Sequence, residues 1–281
     1  MPYVWIRLSD SHMLITVDHL EIGVADVAQA VETYRNLGFT VTHGGDDEDA
    51  GHRDAYAVFG DFYILFRGTE HAEEIHRIVL RSDNLDAEVA RLKSNGFHVS
   101  DPVDDPIERR GASLPRRTAA VDSYIPVGLV EYRDAAAERS VFMGGATAHP
   151  NTATVLERAY LAVESIGREL ETFEQLLGMP APVPEMGTVI MSLMSVFYVG
   201  HVGIAVAEPR GPGPTASALS SNGPGLFQVL FRAGHLESAA ALMVENGVPP
   251  PTRGTRLSGE RALLVEPAHA CNLYVAFAGQ P

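Results

Sequence analysis

The sequence predicts an α+β protein made of four βαβββ modules, and three observations carry the prediction. A strand-like run followed by a short amphipathic helix recurs four times. Each copy ends on a glycine plus an apolar residue, nineteen or twenty positions after a fixed place in its first strand: His19 to Gly38-Phe39, Arg77 to Gly96-Phe97, Arg158 to Gly178-Met179 and Gln228 to Gly247-Val248. Behind each helix lies sequence for further strands. A fixed internal period is the signature of one supersecondary unit reused along a chain, and it makes the copies comparable position by position.

In the first module, Val17, His19, Glu21 and Gly23 alternate with Leu20, Ile22 and Val24, the period of a strand with two unlike faces. Asp26 stands where a helix N-cap belongs, and Val27, Ala30, Val31, Tyr34 and Leu37 fall at helical spacing on one face. Gly38 stops the helix. Phe39 to Thr42, Asp54 to Phe59 and Phe62 to Phe66 read as three strands, the last two joined by a tight turn at Gly60-Asp61. The second module repeats the plan with Ile78 to Leu80, a helix through Leu85, Val89 and Leu92, and a last strand near Leu129 to Tyr132. The third has Tyr160, Leu161 and Val163, a helix through Ile166, Leu170, Phe173 and Leu177, and a last strand near Val202 to Val206. The fourth runs from Phe227 to Phe231 through Leu236, Ala240 and Met243 to a last strand near Asn272 to Phe277.

At 281 residues the chain has room for two ordinary domains, and four modules make two pairs. Residues 14–134 are expected to form the first domain and residues 152–281 the second. The Ala- and Gly-rich stretch from Arg133 to Pro150 is the expected linker. The Pro/Gly/Ser-rich stretch from Arg210 to Gly225 is expected to be a spacer without chemistry. Hydrophobic residues at 46% and charged residues at 20% are the proportions of a globular protein. A formal charge of -15 disfavours nucleic acid, whose phosphates need clustered Lys and Arg. With Cys271 alone there is no intramolecular disulfide and no thiolate metal site. No apolar run approaches the length of a membrane span, and the start lacks an apolar region followed by a small-residue cleavage site, so a cytoplasmic protein is expected.

Several residues carry the likeness to a known family. Asp18-His19-Leu20-Glu21-Ile22-Gly23-Val24, Gly60-Asp61-Phe62-Tyr63-Ile64-Leu65, Leu226 to Arg232 and Pro267 to Ala276, set in paired βαβββ modules, resemble the vicinal oxygen chelate superfamily. That superfamily includes glyoxalase I, extradiol dioxygenases, fosfomycin-resistance enzymes and bleomycin-binding proteins. Gly51 to Asp61 resembles its glyoxalase-like branch. The resemblance covers nearly the whole chain after about Met13. It implies two half-barrels, each built from two modules, and a divalent metal held by residues of the first and last strands of each module. The metal acts as a Lewis acid toward a substrate that chelates it through two neighbouring oxygens.

Carried over residue by residue, the implied ligand positions fall on His19 and Leu65, Arg77 and on or near Glu131, Arg158 and Ala205, and Gln228 and Ala276. Only His19 and Glu131 remain as metal ligands, an incomplete set. A guanidinium has no lone pair for a cation and repels one, so Arg77 both removes a ligand and opposes the ion. The expected cofactor is therefore none or a weakly held divalent metal. The second pair of modules holds no candidate ligand. Extradiol dioxygenases have four modules and keep their metal in the second pair, which disfavours that activity here. The first half is expected to carry the pocket and the second to be largely structural or interface-forming.

The expected catalytic set is His19 as base or ligand, Glu131 as base or ligand, and Arg77 as binder of an oxyanion or carboxylate. The plainer readings are a core histidine held by a neighbour and an Arg77–Glu131 ion pair. His52, Asp54 and Tyr56, alternating on the third strand, and Tyr63 on the fourth are substrate-binding candidates, with rim or packing roles as the alternative. His76 should face away from Arg77's side unless a bulge turns it. Asp46 to Asp49 reads as a solvated acidic loop rather than a calcium loop, and the basic cluster Glu108-Arg109-Arg110 with Arg116-Arg117 as a surface loop. His12, His43 and His149 have no partners at meaningful spacing. No glycine-rich nucleotide loop opens a helix and no serine sits in a nucleophile elbow.

The function expected is that of an enzyme working on a small oxygenated organic molecule by proton transfer, isomerisation or lyase chemistry. The resemblance suggests a setting in specialised metabolism, with a homodimer possible. The alternative is a metal-free protein that sequesters a drug or metabolite.

Overall fold

The computed structural model describes residues 14–43, 54–69, 76–109, 112–123, 125–134, 147–256 and 258–279. The first module comprises β1 (Leu14–Val24), α1 (Val27–Asn36), β2 (Thr42–His43), β3 (Asp54–Phe59) and β4 (Phe62–Gly68). The second comprises β5 (His76–Ser82), α2 (Leu85–Ser94), β6 (His98–Val99), β7 (Val103–Asp104), β8 (Ile107–Arg109), β9 (Ala112–Leu114), β10 (Arg116–Asp122) and β11 (Val127–Tyr132). The third has β12 (Ala153–Ala162), α3 (Ile166–Leu177), β13 (Glu185–Gly187), β14 (Ser192–Val199) and β15 (Val202–Pro209). After α4 (Pro214–Asn222) the fourth has β16 (Gly225–Ala233), α5 (Leu236–Glu245), β17 (Thr252–Thr255), β18 (Arg261–Val265) and β19 (Tyr274–Gly279).

Modules pair in sequence order, two to a sheet, and each pair forms one half-barrel domain. The first sheet runs β2-β3-β4-β1-β5-β11-β10-β6, with β7 also on β10, and the second runs β13-β14-β15-β12-β16-β19-β18-β17. In each, the two first strands meet antiparallel at the centre and each lies parallel to the last strand of its own module. Strands β8 and β9 form a separate hairpin inserted in the second module.

The local chemistry behaves as the sequence requires. Asp26 caps α1 by accepting from the Gln29 backbone N–H, and Asn84 caps α2 by accepting from that of Ala87. Gly38, Gly96, Gly178 and Gly247 all have φ between 67° and 88°, the left-handed region that a side chain disfavours. Two expectations are corrected. The strand expected from Phe39 to Thr42 shrinks to β2, because Phe39 turns inward between the sheets. The stretch from Arg210 to Gly225 is no simple spacer, since it contains α4, started by Pro214 at its first turn and anchored by the Thr215 hydroxyl, 2.7 Å from that of Ser192.

One apolar cluster runs through both sheets. Phe39 and Phe59 of the first module meet Phe231 and Phe277 of the fourth, with Phe59 stacked on Phe231 at 5.0 Å between ring centres. Between α2 and α3, Arg91 donates to the carbonyls of Gln175 and Leu176. His149, expected to lack partners, is buried at this junction: its Nδ1 accepts from the Thr40 N–H at 3.0 Å and its Nε2 donates to the Val58 carbonyl at 3.1 Å. His12 lies outside the described residues, as does the side chain of His43.

Burial lowers the pKa of both His149 and His76 to about 4. Each imidazole is neutral in the fold but takes a proton near pH 6.5 when unfolded. Their stabilisation is therefore complete above pH 6.5 and is lost as the pH falls toward 4. The expected loss is about 1.4 kcal/mol per pH unit for each histidine. Urea unfolding at pH 7 and pH 5 checks this, and His149→Gln, which keeps a donor and an acceptor, should flatten the slope.

Candidate functional site

The inner face of the first sheet is built around β1. Its register against β5 slips between Val17 and His19, so Val17 faces Leu80 and His19 faces Val79 with Asp18 as the extra residue. Such a bulge breaks the strict alternation of a strand. Asp18 and His19, neighbours that regular alternation would send to opposite faces, both reach the same side. Leu20 and Ile22 pack into the helix-side core.

Asp18 is fully buried and surrounded by donors. Its Oδ1 accepts from Arg81 Nη2 at 2.7 Å and Nε at 3.0 Å, and its Oδ2 from the Tyr132 hydroxyl at 2.9 Å. The same Oδ2 lies 2.7 Å from His19 Nδ1. Burial by itself would raise the Asp18 pKa, but His19 and Arg81 outweigh it and hold the carboxyl below its usual value. His19, 3% exposed, has its pKa lowered by burial, against the pull of Asp18 and with help from Arg116. The pair is therefore a carboxylate and a neutral imidazole. Nδ1 carries the proton toward Asp18, which leaves the lone pair on Nε2, and no described residue bonds to that atom. The ring lies on that of Tyr63, 4.4 Å away and 11° from parallel.

Arg77 also lies on the inner face, but its partner is Glu21, directly across from it on β1. Glu21 accepts from Arg77 Nη1 at 3.2 Å and from Arg67 Nη1 at 2.7 Å. Arg67 also reaches Asp54, at 3.3 Å. Tyr56 and Tyr63 pack in an apolar cluster with Leu65, Ile107 and Leu114, so the β8–β9 hairpin rests against this cup. Arg116, expected in a surface loop, is buried on β10 and grips Asp105. His52, Asp46 to Asp49 and Arg110 lie outside the described residues.

Glu131 lies apart from this group. Its Oε2 accepts from the Leu85 N–H at 3.2 Å and lies 3.6 Å from Arg117, so it caps α2 on the opposite face of the sheet from His19. Glu208 does the same for α3 through the Ile166 N–H. The strand register accounts for this placement. Leu65 lies beside Glu21, Ala205 beside Tyr160 and Ala276 beside Leu230, which follow His19, Arg158 and Gln228 by two residues on their strands. The residue that follows Arg77 by two is Val79, and its partner is Gly128, three residues before Glu131. An odd offset moves a side chain to the other face. His76 faces away from Arg77's side as expected, opposite Ile22. Sequence reasoning missed Asp18, Glu21 and Arg81; the adjacency Asp18-His19 was the available signal.

These donors do not suit the divalent metal that the resemblance implies. His19 offers one free nitrogen, Glu21 is held by two guanidinium groups, and the last-strand positions are Leu65, Gly128, Ala205 and Ala276. No group of three His, Cys, Asp or Glu side chains converges among the described residues. Arginines crowding the inner face oppose a cation further.

The second sheet, expected to be largely structural, encloses a cavity of about 480 Å³ lined by residues of β12, β16, β18 and β19, among them Arg158, Tyr160, Gln228 and Leu230.

Residues 17–74 match the glyoxalase-like domain family. A variant of 4-hydroxymandelate synthase from Streptomyces coelicolor superposes with a TM-score of 0.64 at 16% identity, covering 95% of this chain and 93% of that one. The Mn(II)-bound glyoxalase from Novosphingobium aromaticivorans superposes at 0.63 with 14% identity, covering 95% and 83%. The chain has the vicinal oxygen chelate fold. No curated protein matches it in sequence. Both of these structural neighbours are enzymes by name, and the second is described with bound manganese. No described helix is long and apolar enough to cross a membrane.

Proposed function

We propose that the first cup catalyses metal-independent proton transfer on a small oxygenated organic molecule, the step that underlies isomerisation and lyase chemistry. The observation that supports it is the 2.7 Å contact between Asp18 Oδ2 and His19 Nδ1. A buried carboxylate fixes the imidazole tautomer and stabilises the cation formed when Nε2 takes a proton. Asp18 is the positioning residue and His19 the base. Arg77 spends Nη1 on Glu21 and keeps its other N–H groups for a developing oxyanion or a substrate carboxylate. Glu131 has no part in this set.

The test is solvent deuterium incorporation next to the carbonyl of α-hydroxy and α-keto compounds, followed by NMR with chelator-treated protein. Exchange should survive chelation and fall by about 10²–10⁴ in His19→Ala, the range a positioned general base contributes. Exchange that is unchanged in His19→Ala, or that vanishes with chelator, overturns the reading. Binding with no exchange at all would favour the second reading, sequestration of a metabolite, which the cavity in the second sheet supports.

A further inference from the structure

The hollow in the second sheet follows from its inner residues. Opposite Arg158, Tyr160 and Ala162 on β12 stand Gly203, Ala205 and Ala207 on β15, and β19 adds Ala276 and Ala278. The corresponding β4 positions in the first sheet are Tyr63, Leu65 and Arg67. Small side chains on two strands leave space that the first sheet fills. Gly203 is needed for this arrangement: a Cβ there would lie 3.4 Å from Arg158 Nε and 2.9 Å from Val196.

Two polar atoms on this face have no partner among the described residues. Arg158 Nε, a donor, and Gln228 Oε1, an acceptor, are both buried without a hydrogen bond. The side chains are 9% and 4% exposed. Arg158 donates from Nη2 to the Tyr198 hydroxyl at 3.3 Å and lies over the Tyr160 ring, yet no described carboxylate forms an ion pair with it. The other cations around the cavity are committed, Arg256 to Glu157 and Glu260, and Arg253 to Glu237. A buried guanidinium with no carboxylate at ion-pair distance among the described residues, beside an unmet acceptor, is costly unless a ligand supplies both partners, and Glu157 acts on it only from farther away. Glu266, hydrogen-bonded by Tyr274, lines the same cavity and opposes a second negative charge. The remaining wall includes Leu230, Met194 and Leu264.

We propose that the second cup is a metal-free binding site for a small organic monocarboxylate with an apolar body and a hydroxyl beside its carboxylate. The carboxylate accepts from Arg158 and the hydroxyl donates to Gln228. The guanidinium takes the place that a cation would hold, so the ligand is recognised directly rather than through a bridging ion. The site is separate from the His19 cup and does not depend on its chemistry.

Salicylate, benzoate and salicylamide provide the test, since benzoate lacks the hydroxyl and salicylamide the charge. Calorimetry on the full chain should show salicylate bound at millimolar concentration or better, benzoate several-fold weaker and salicylamide weaker still. Arg158→Met should weaken salicylate at least tenfold while leaving the empty protein as stable or more so, because an unpaired buried charge is removed. Gln228→Leu should erase the preference for salicylate over benzoate. His19→Ala should change none of these, which separates this site from the first cup. Equal binding of salicylate and salicylamide, unaltered affinity in Arg158→Met, or no binding of any probe at millimolar concentration overturns the proposal.

Discussion

Asp18→Asn is expected to cost about 3–5 kcal/mol of stability, the range for removing one member of a buried ion pair. The carboxylate is fully buried and engages Arg81, His19 and Tyr132 together, so its neutral amide removes the negative charge that faces the Arg81 guanidinium there. The consequence for chemistry is as large. If the amide oxygen stays with Arg81, its N–H₂ faces His19 Nδ1, and the imidazole must accept there and carry its proton on Nε2 instead. The lone pair on Nε2 is lost, as is the charge that stabilises a protonated imidazole, so proton transfer should fall by about 10²–10⁴. Nitrogen NMR of His19 reads the change directly, with Nδ1–H in the native protein and Nε2–H in the variant. A variant that keeps the native tautomer and loses less than about 1 kcal/mol in urea would show that Asp18 only fills space.

Much of the fold was legible because its signals are local. The Asp26 cap, the apolar faces of α1 and α3, the bounds of β3 and the four glycine stops each depend on residues within one turn or one strand. The helix α4 was hidden because its glycine- and proline-rich flanks resemble a linker, although Pro214 at its first turn is a start signal.

The site was less legible, for two physical reasons. Whether Gly128 or Glu131 shares a face with Arg77 is decided by pairing between β5 and β11, strands far apart in sequence. Whether Asp18 joins His19 depends on a bulge that alternation counting does not contain. The second cup is hidden in the sequence because Arg158, Gln228, Ala205 and Ala276 are not metal ligands. Their significance lies in the space left by small residues and in two unmet hydrogen bonds, both properties of packing.

Phe231→Ala should destabilise the whole chain by about 3–5 kcal/mol, the range for truncating a buried aromatic side chain. Phe231 is fully buried on β16 and touches the rings of Phe39 and Phe59 from the first module and Phe277 from the fourth. Removing it opens a void at the junction rather than inside either sheet. His149, 4.1 Å from the Phe59 ring, lies beside that void. Hydrogen exchange distinguishes a shared core from two independent ones: amides of β3 and β4 should lose protection together with those of β16 and β19. Protection unchanged in β3 and β4 would mean that the half-barrels fold independently and that the aromatic contacts merely join finished surfaces. Coupled loss would mean that the stability of the His19 cup depends on residues of the other half, so substitutions lining the Arg158 cavity must be controlled for stability before any effect on the first cup is assigned to chemistry.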